Sequence, residues 1–372
     1  MPYSILIFER KDENFNAGFR VIVEITDEDG NLVVRDIKDS NISVNDFAST
    51  NDYSLFLNEF LRFKLRPAKY NVNAVVSDLN SQDELPVKPV ELDLQKEQEK
   101  IVHHPLVIQS QEMTCENHKA FVLANSGGKI PYSSNTFNLV VPVSDTSVNA
   151  LDVKIENNDE EVYSGKITES YLIPVGITMC ENKIAVVIDS SAALLKNFVL
   201  KNVNQKLTEG KIVLSIQNDE KGIDEEFESS VIWFNKPFSL RDPENAIEYL
   251  KFIESDSVVS LMLDESESDY PKILNDYWKK VDPTPETSYN EIMFEYYSRV
   301  DYAIKEFRSI SVENGAKTDR GIIFIKFGKP EKVERASNPQ GQIVEVWTYL
   351  NPERKFSFID KKGTGNFSLI EQ

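Results

Sequence analysis

As far as about Phe234, short runs of alternating apolar and polar residues are punctuated by turn residues, and no long helical period interrupts them. Successive side chains on a strand point to opposite faces, so this patterning demands sheets with one buried face. Residues 19–25 alternate, and Thr26-Asp27-Glu28-Asp29-Gly30-Asn31 turns them into Leu32-Val33-Val34 as a hairpin. Residues 63–76 supply two more strands, and residues 1–10 read as an edge strand. Strands at this spacing without intervening helices predict an immunoglobulin-like β-sandwich over residues 1–94, though without the cysteine and tryptophan marks of antibody domains.

The polar run Gln95-Lys96-Glu97-Gln98-Glu99-Lys100 offers no core residue and reads as a linker. A second all-β sandwich is expected over residues 101–234, with strands at 137–143, 151–155, 183–188 and 211–216 and acidic turns such as residues 156–161. From Asn235 the period becomes helical. Asp242 is an N-cap with Pro243 behind it, and Ile247, Leu250 and Ile253 share a face. A second helix carries Ile273, Leu274, Tyr277, Trp278 and Val281 up to the breaker Asp282-Pro283-Thr284-Pro285. Ser288 and Glu291 have capping-box spacing, and behind them Tyr289, Met293, Tyr296, Val300, Ala303 and Phe307 form one stripe. That stripe is expected to lie across a terminal antiparallel meander, with strands at 322–327, 343–350, 355–359 and 367–370. Residues 240–372 thus read as an α+β domain, helices packed on an antiparallel sheet.

Charge narrows the partners. Sixty-one acidic residues against 41 basic ones leave a net charge of −20, which repels nucleic acid and anionic membranes. No stretch has the apolar length of a membrane span, and residues 1–10 lack the basic start and long apolar core of an export signal. Cys115 and Cys180 are too few for a disulfide scaffold or a zinc site, leaving two buried thiols or one bridge.

The densest set of special residues begins at Gly315. Gly315-Ala316-Lys317-Thr318-Asp319-Arg320-Gly321 is followed by Ile325-Lys326-Phe327-Gly328-Lys329-Pro330, then Trp347 with Tyr349, Phe356-Ser357-Phe358 with Asp360, and Gly363 with Gly365. Upstream stand Tyr277-Trp278-Lys279-Lys280 and Asp282-Pro283-Thr284-Pro285. In these residues and their order the last third of the chain resembles the GWxTD-domain family of bacterial proteins. The tryptophan of that motif is Ala316 here. The resemblance singles out Gly315, Lys317, Thr318, Asp319, Arg320, Gly321, Gly328, Pro330, Trp347 and Tyr349 as motif residues. It implies an exported protein, periplasmic, outer-membrane-associated or at the surface, of which this chain is a trimmed or fragmentary form.

Lys317-Thr318-Asp319-Arg320 places a carboxylate, a hydroxyl and two cations within one turn. Such residues ahead of a strand ordinarily bond to nearby backbone and fix the turn. A hydrolase or carbohydrate-active enzyme would instead need Asp319 to meet a second carboxylate, Asp360 or Glu334, in a cleft. Elsewhere the chemistry is sparse. His103-His104 beside Pro105 reads as surface loop, since neighbours on a strand diverge and His118 is the remaining histidine. Asp27-Glu28-Asp29-Gly30-Asn31 is too short for an EF-hand loop, and Gly127-Gly128-Lys129 runs on to Pro131 without entering a helix. Trp278, Tyr296, Tyr297, Trp347 and Tyr349 read as core before they read as a ligand platform. The expectation is a non-enzymatic envelope or surface protein that binds another protein, with no catalytic, cofactor or metal residues.

Overall fold

The computed structural model describes residues 1–52 and 55–371. The chain is mostly β, with several sheets and some helices, and divides into two compact units, Met1–Asn235 and Lys236–Gln372. None of the helices among the described residues is long and apolar enough to cross a membrane.

The first unit opens with a five-stranded antiparallel sheet of β1 (Glu9–Lys11), β2 (Asn14–Asp27), β3 (Leu32–Val44), β4 (Lys69–Asp78) and β5 (Glu84–Asp93). β2 is its centre, because β3 pairs along one edge and β4 along the other. The expected alternation is present: Ala17, Phe19, Val21, Val23 and Ile25 are buried against Tyr3, Leu6 and Leu57. Asp27 closes the first hairpin by accepting the amides of Asp29 (3.0 Å) and Asn31 (2.8 Å), so its carboxylate serves a turn. The short helix α1 (Phe47–Thr50) follows β3. Two local expectations are corrected: residues 63–66 form no strand, and residues 1–10 hold a 3-10 turn at Tyr3–Ile5 before β1. The polar run read as a linker is largely the helix α2 (Leu94–Glu99). The side chain of Asp93 accepts the Lys96 amide and so starts α2, a cap that a polar composition hides.

Beyond α2 come β6 (Leu106–Cys115), β7 (His118–Leu123), β8 (Ile130–Pro131), β9 (Phe137–Val143), β10 (Leu151–Asn157) and β11 (Glu160–Ile167). They are followed by β12 (Ser170–Cys180), β13 (Lys183–Ile188), β14 (Leu194–Leu200), β15 (Gly210–Asn218) and β16 (Ile223–Ile232). Two layers result. One is a closed barrel in the order β12-β13-β7-β6-β9-β14, the other a five-stranded sheet in the order β11-β10-β15-β16-β8. Leu139, Val141 and Val143 of β9 pack with Val153, Ile155, Leu214 and Ile216 of the sheet. Val140, on the opposite face of β9, packs instead with Ile108, Leu123 and Val186 of the barrel. One strand thus serves two cores, which requires apolar residues at consecutive positions.

The second unit is helical first. Asp242 caps α3 (Pro243–Tyr249) by accepting the Asn245 amide, and α4 (Asp256–Leu263) and α5 (Tyr270–Lys279) follow. The cap of α6 (Glu291–Glu306) is Asn290, whose side chain accepts the Met293 amide at 2.9 Å; the start lies two residues beyond Ser288, the expected cap. Tyr289, Tyr296, Val300, Ala303 and Phe307 are buried as the stripe requires. The stripe does not lie across the meander along its length. α6 packs against α7 (Asp319–Phe327) and the turn before it, and Phe307 at its end reaches Trp347. Residues 322–327, expected as a strand, are therefore helix. The sheet is an antiparallel meander of β17 (Lys332–Ser337), β18 (Ile343–Leu350), β19 (Glu353–Asp360) and β20 (Ser368–Glu371).

Candidate functional site

The motif residues meet where α6, α7 and the meander join. Asn314 accepts the Ala316 amide at 3.0 Å and starts the 3-10 turn Gly315–Lys317. Thr318 then caps α7: its hydroxyl donates to the Gly315 carbonyl at 2.7 Å and accepts the Gly321 amide at 3.1 Å. A Cβ on Gly315 would stand 2.2 Å from the Ala303 carbonyl oxygen, and one on Gly321 would stand 2.0 Å from the Gly315 carbonyl oxygen. Both glycines are demanded by close backbone approach, which is how the turn, the helix start and α6 share one corner.

Asp319 and Arg320 point to different tasks. The Asp319 carboxylate accepts the Leu369 amide at 2.7 Å and ties the start of α7 to β20. Its partner is backbone, as the turn reading expects, but backbone 50 residues away. Arg320 is buried. Its guanidinium lies 4.1 Å from the Phe367 ring centroid, donates to the Gly365 carbonyl at 3.3 Å, and stands 3.6 Å from Glu345. Burial pulls the Arg320 pKa below its usual value, and Glu345 works the other way.

Glu345 is the buried counterion of this corner, with 2% of its surface exposed. One carboxylate oxygen accepts the Trp347 indole N–H at 2.6 Å, and the other accepts Arg335 Nε across the β17–β18 pair. Sequence reading missed Glu345 and Arg335. The legible sign was phase: Glu345, Trp347 and Tyr349 occupy alternate positions of β18 and share its buried face. Asp360 closes the ring by holding the loop that feeds Arg320. Its carboxylate accepts the amides of Lys362 (3.3 Å), Thr364 (3.2 Å) and Gly365 (2.8 Å). Burial disfavours its charged form, but those amides outweigh burial and leave its carboxyl below the usual range.

The remaining motif residues are placed as follows. Gly328 has φ +77° and ends α7, and its carbonyl accepts the Tyr349 hydroxyl at 2.9 Å. Trp347 is packed between Phe307 and Phe358. Pro330 lies in the link from α7 to β17, and Lys317 is exposed. Ala316, in the place of the motif tryptophan, is fully buried. Trp278, Tyr296 and Tyr297 are buried in mutual contact, as core. Asp319, Asp360 and Glu334 each have separate partners: the Leu369 amide, the 362–365 loop and Lys332 respectively. Among the described residues no cluster of three or more His, Cys, Asp or Glu is arranged to hold a metal ion. In the first unit His104 stacks on Phe227, and Cys115 and Cys180 form a disulfide, with 5.7 Å between their Cα atoms.

Residues 215–371 match the GWxTD domain family, so the chain carries a GWxTD domain that takes in the end of the first unit's β structure and the whole motif corner. No curated protein matches the chain.

Proposed function

We propose that this GWxTD-domain protein is a non-enzymatic component of the bacterial envelope or surface that binds another protein through its β modules or its C-terminal domain. The reading is supported by how the motif side chains are occupied. Thr318 caps a helix, Asp319 holds the Leu369 amide, and Arg320 is buried beside Glu345. Groups committed to backbone and buried ion pairs hold a shape, whereas a catalytic centre keeps its groups available to a substrate. On the same unit Ile310 is 89% exposed and Phe238 75%, side chains suited to contact with an apolar partner surface. The disulfide fits an oxidising compartment outside the cytoplasm. In this reading residues 1–94 and 101–234 are immunoglobulin-like spacers that present the domain at 240–372, an analogy of architecture only.

Cross-linking in intact cells, followed by capture of the full-length protein and mass spectrometry, tests the proposal. A recurrent partner that is lost from an Ile310→Asp, Phe238→Asp variant supports it. Turnover of an ester, peptide or glycoside substrate that disappears in Asp319→Asn would replace it with the hydrolase reading.

A further inference from the structure

The two cysteines sit in near-identical surroundings. Cys115-Glu116-Asn117 and Cys180-Glu181-Asn182 are the tips of the hairpins β6–β7 and β12–β13, and each Glu-Asn pair has positive φ (47° and 68°; 47° and 62°). Paired positive φ is the geometry of a two-residue turn matched to strand twist. The strands behind them pair as a local two-fold, with Ala120 opposite Val187 and Val122 opposite Ala185. The disulfide joins these equivalent corners. The buried sulfurs pack with Met113, Ala120, Ala185 and Val187, a small hydrophobic cluster.

One of the two tips also holds another part of the fold. Asn182 Oδ1 accepts the Asn58 amide at 2.8 Å, its carbonyl accepts the Asn58 side chain at 2.8 Å, and its Nδ2 donates to the Phe56 carbonyl at 2.7 Å. The segment so gripped covers the N-terminal sheet: Leu57 is in that sheet's core and exchanges backbone bonds with Met1. Arg62 adds a bond to the Ile177 carbonyl of β12. The covering segment of the first sheet is therefore held by the hairpin that the disulfide anchors.

We propose that Cys115–Cys180 is a redox-set latch, which when oxidised keeps the β12–β13 tip in place to grip residues 55–62, and when reduced releases them. A dithiol supplies the two electrons. One of its thiolates attacks a cystine sulfur, its second thiolate resolves the mixed disulfide, and its two protons end on Sγ of Cys115 and Cys180 as the dithiol becomes a cyclic disulfide. Release follows because the β13–β7 ladder ends at Ala185 and the β12–β14 ladder at Pro174, so that past its own hairpin pairing the tip is tied to the barrel by the disulfide. The inference does not depend on the identity of any partner.

Amide hydrogen exchange on the full chain, with and without dithiothreitol, tests it, the redox state being read by thiol alkylation and intact mass. Exchange over residues 55–62 should quicken by about tenfold or more on reduction, while residues 343–350 stay protected. Cys115→Ser with Cys180→Ser should match the reduced protein with or without dithiol. Asn182→Gly, which keeps the positive φ but removes the side-chain grip, should loosen 55–62 with the disulfide intact and gain little from reduction. Equal protection in both redox states, loss of protection over both segments together, or a disulfide that folded protein never surrenders to dithiol overturns the latch.

Discussion

The Asp319 carboxylate and the Leu369 amide, 2.7 Å apart, join the first residue of α7 to the last strand of the meander. A helix start that anchors a sheet edge explains why an acidic residue follows the Thr318 cap. It also favours the positive end of the helix dipole.

Asp319→Ala should lower the denaturant midpoint of the second unit, at a cost of about 1 kcal/mol for one lost hydrogen bond. Asp319→Asn retains an acceptor oxygen and should cost less. Urea melts of the three full-length proteins provide the check, and an alanine variant as stable as the parent would remove the anchoring role.

The motif tryptophan should not fit this chain. Ala316 is fully buried, and its Cα would lie 2.9 Å from a Cβ placed on Gly321. Ala316→Trp is expected to cost about 1–3 kcal/mol or more through overpacking. Gly321→Ala should be worse still, because the obstacle is backbone, whereas Gly127→Ala, with nothing within 4 Å, should be close to neutral. Thermal melts of the three variants rank these effects.

Glu345→Gln should cost about 3 kcal/mol or more, since it leaves the buried Arg320 guanidinium without its counterion. Glu334→Gln, which touches the exposed pair with Lys332, should leave stability close to that of the parent. A similar loss for both would mean that burial does not set the worth of these pairs.

Acid should act through Asp360. Its folded pKa lies below the unfolded value of about 3.9, so the stability it lends is complete above that pH and lost as pH falls through the folded value. Asp360→Asn should therefore be less stable than the parent at pH 6, with a gap that narrows toward about pH 3 and below. Urea melts at several pH values test the sign, and a gap that widens in acid would contradict it.

Much of the fold was legible in short-range signals. The strand period through β2, β9, β10, β13 and β15, the Asp242 cap and the buried stripe of α6 depend on neighbours within a few residues. The run Ile322–Phe327 was not legible in this way, because six apolar-rich residues after a turn suit a buried strand and a buried helix equally. Thr318 decided it by capping, since its hydroxyl accepts the Gly321 amide at the start of α7. The cap at Asp93 and the start of α6 at Asn290 were likewise chosen among several polar candidates by the amides within reach.

The sequence alone marked Gly315, Thr318, Asp319, Arg320, Gly321, Trp347 and Tyr349 of the motif corner and read its aromatic residues as core, but it did not mark Glu345 or Arg335. Only the tertiary structure decided what each one holds. Asp319 meets Leu369, Arg320 meets Glu345 and Phe367, and Asp360 holds the loop that Arg320 reads, all across separations that no local pattern encodes. The same is true of Cys115 and Cys180. Their matching Cys-Glu-Asn tips stand in plain view in the sequence, but the bond between them needs a curled barrel to bring two corners 65 residues apart together. Local propensity acts through the chain's nearest neighbours, whereas the partners of a buried charge or a cysteine are set by which surfaces the packed cores bring into contact.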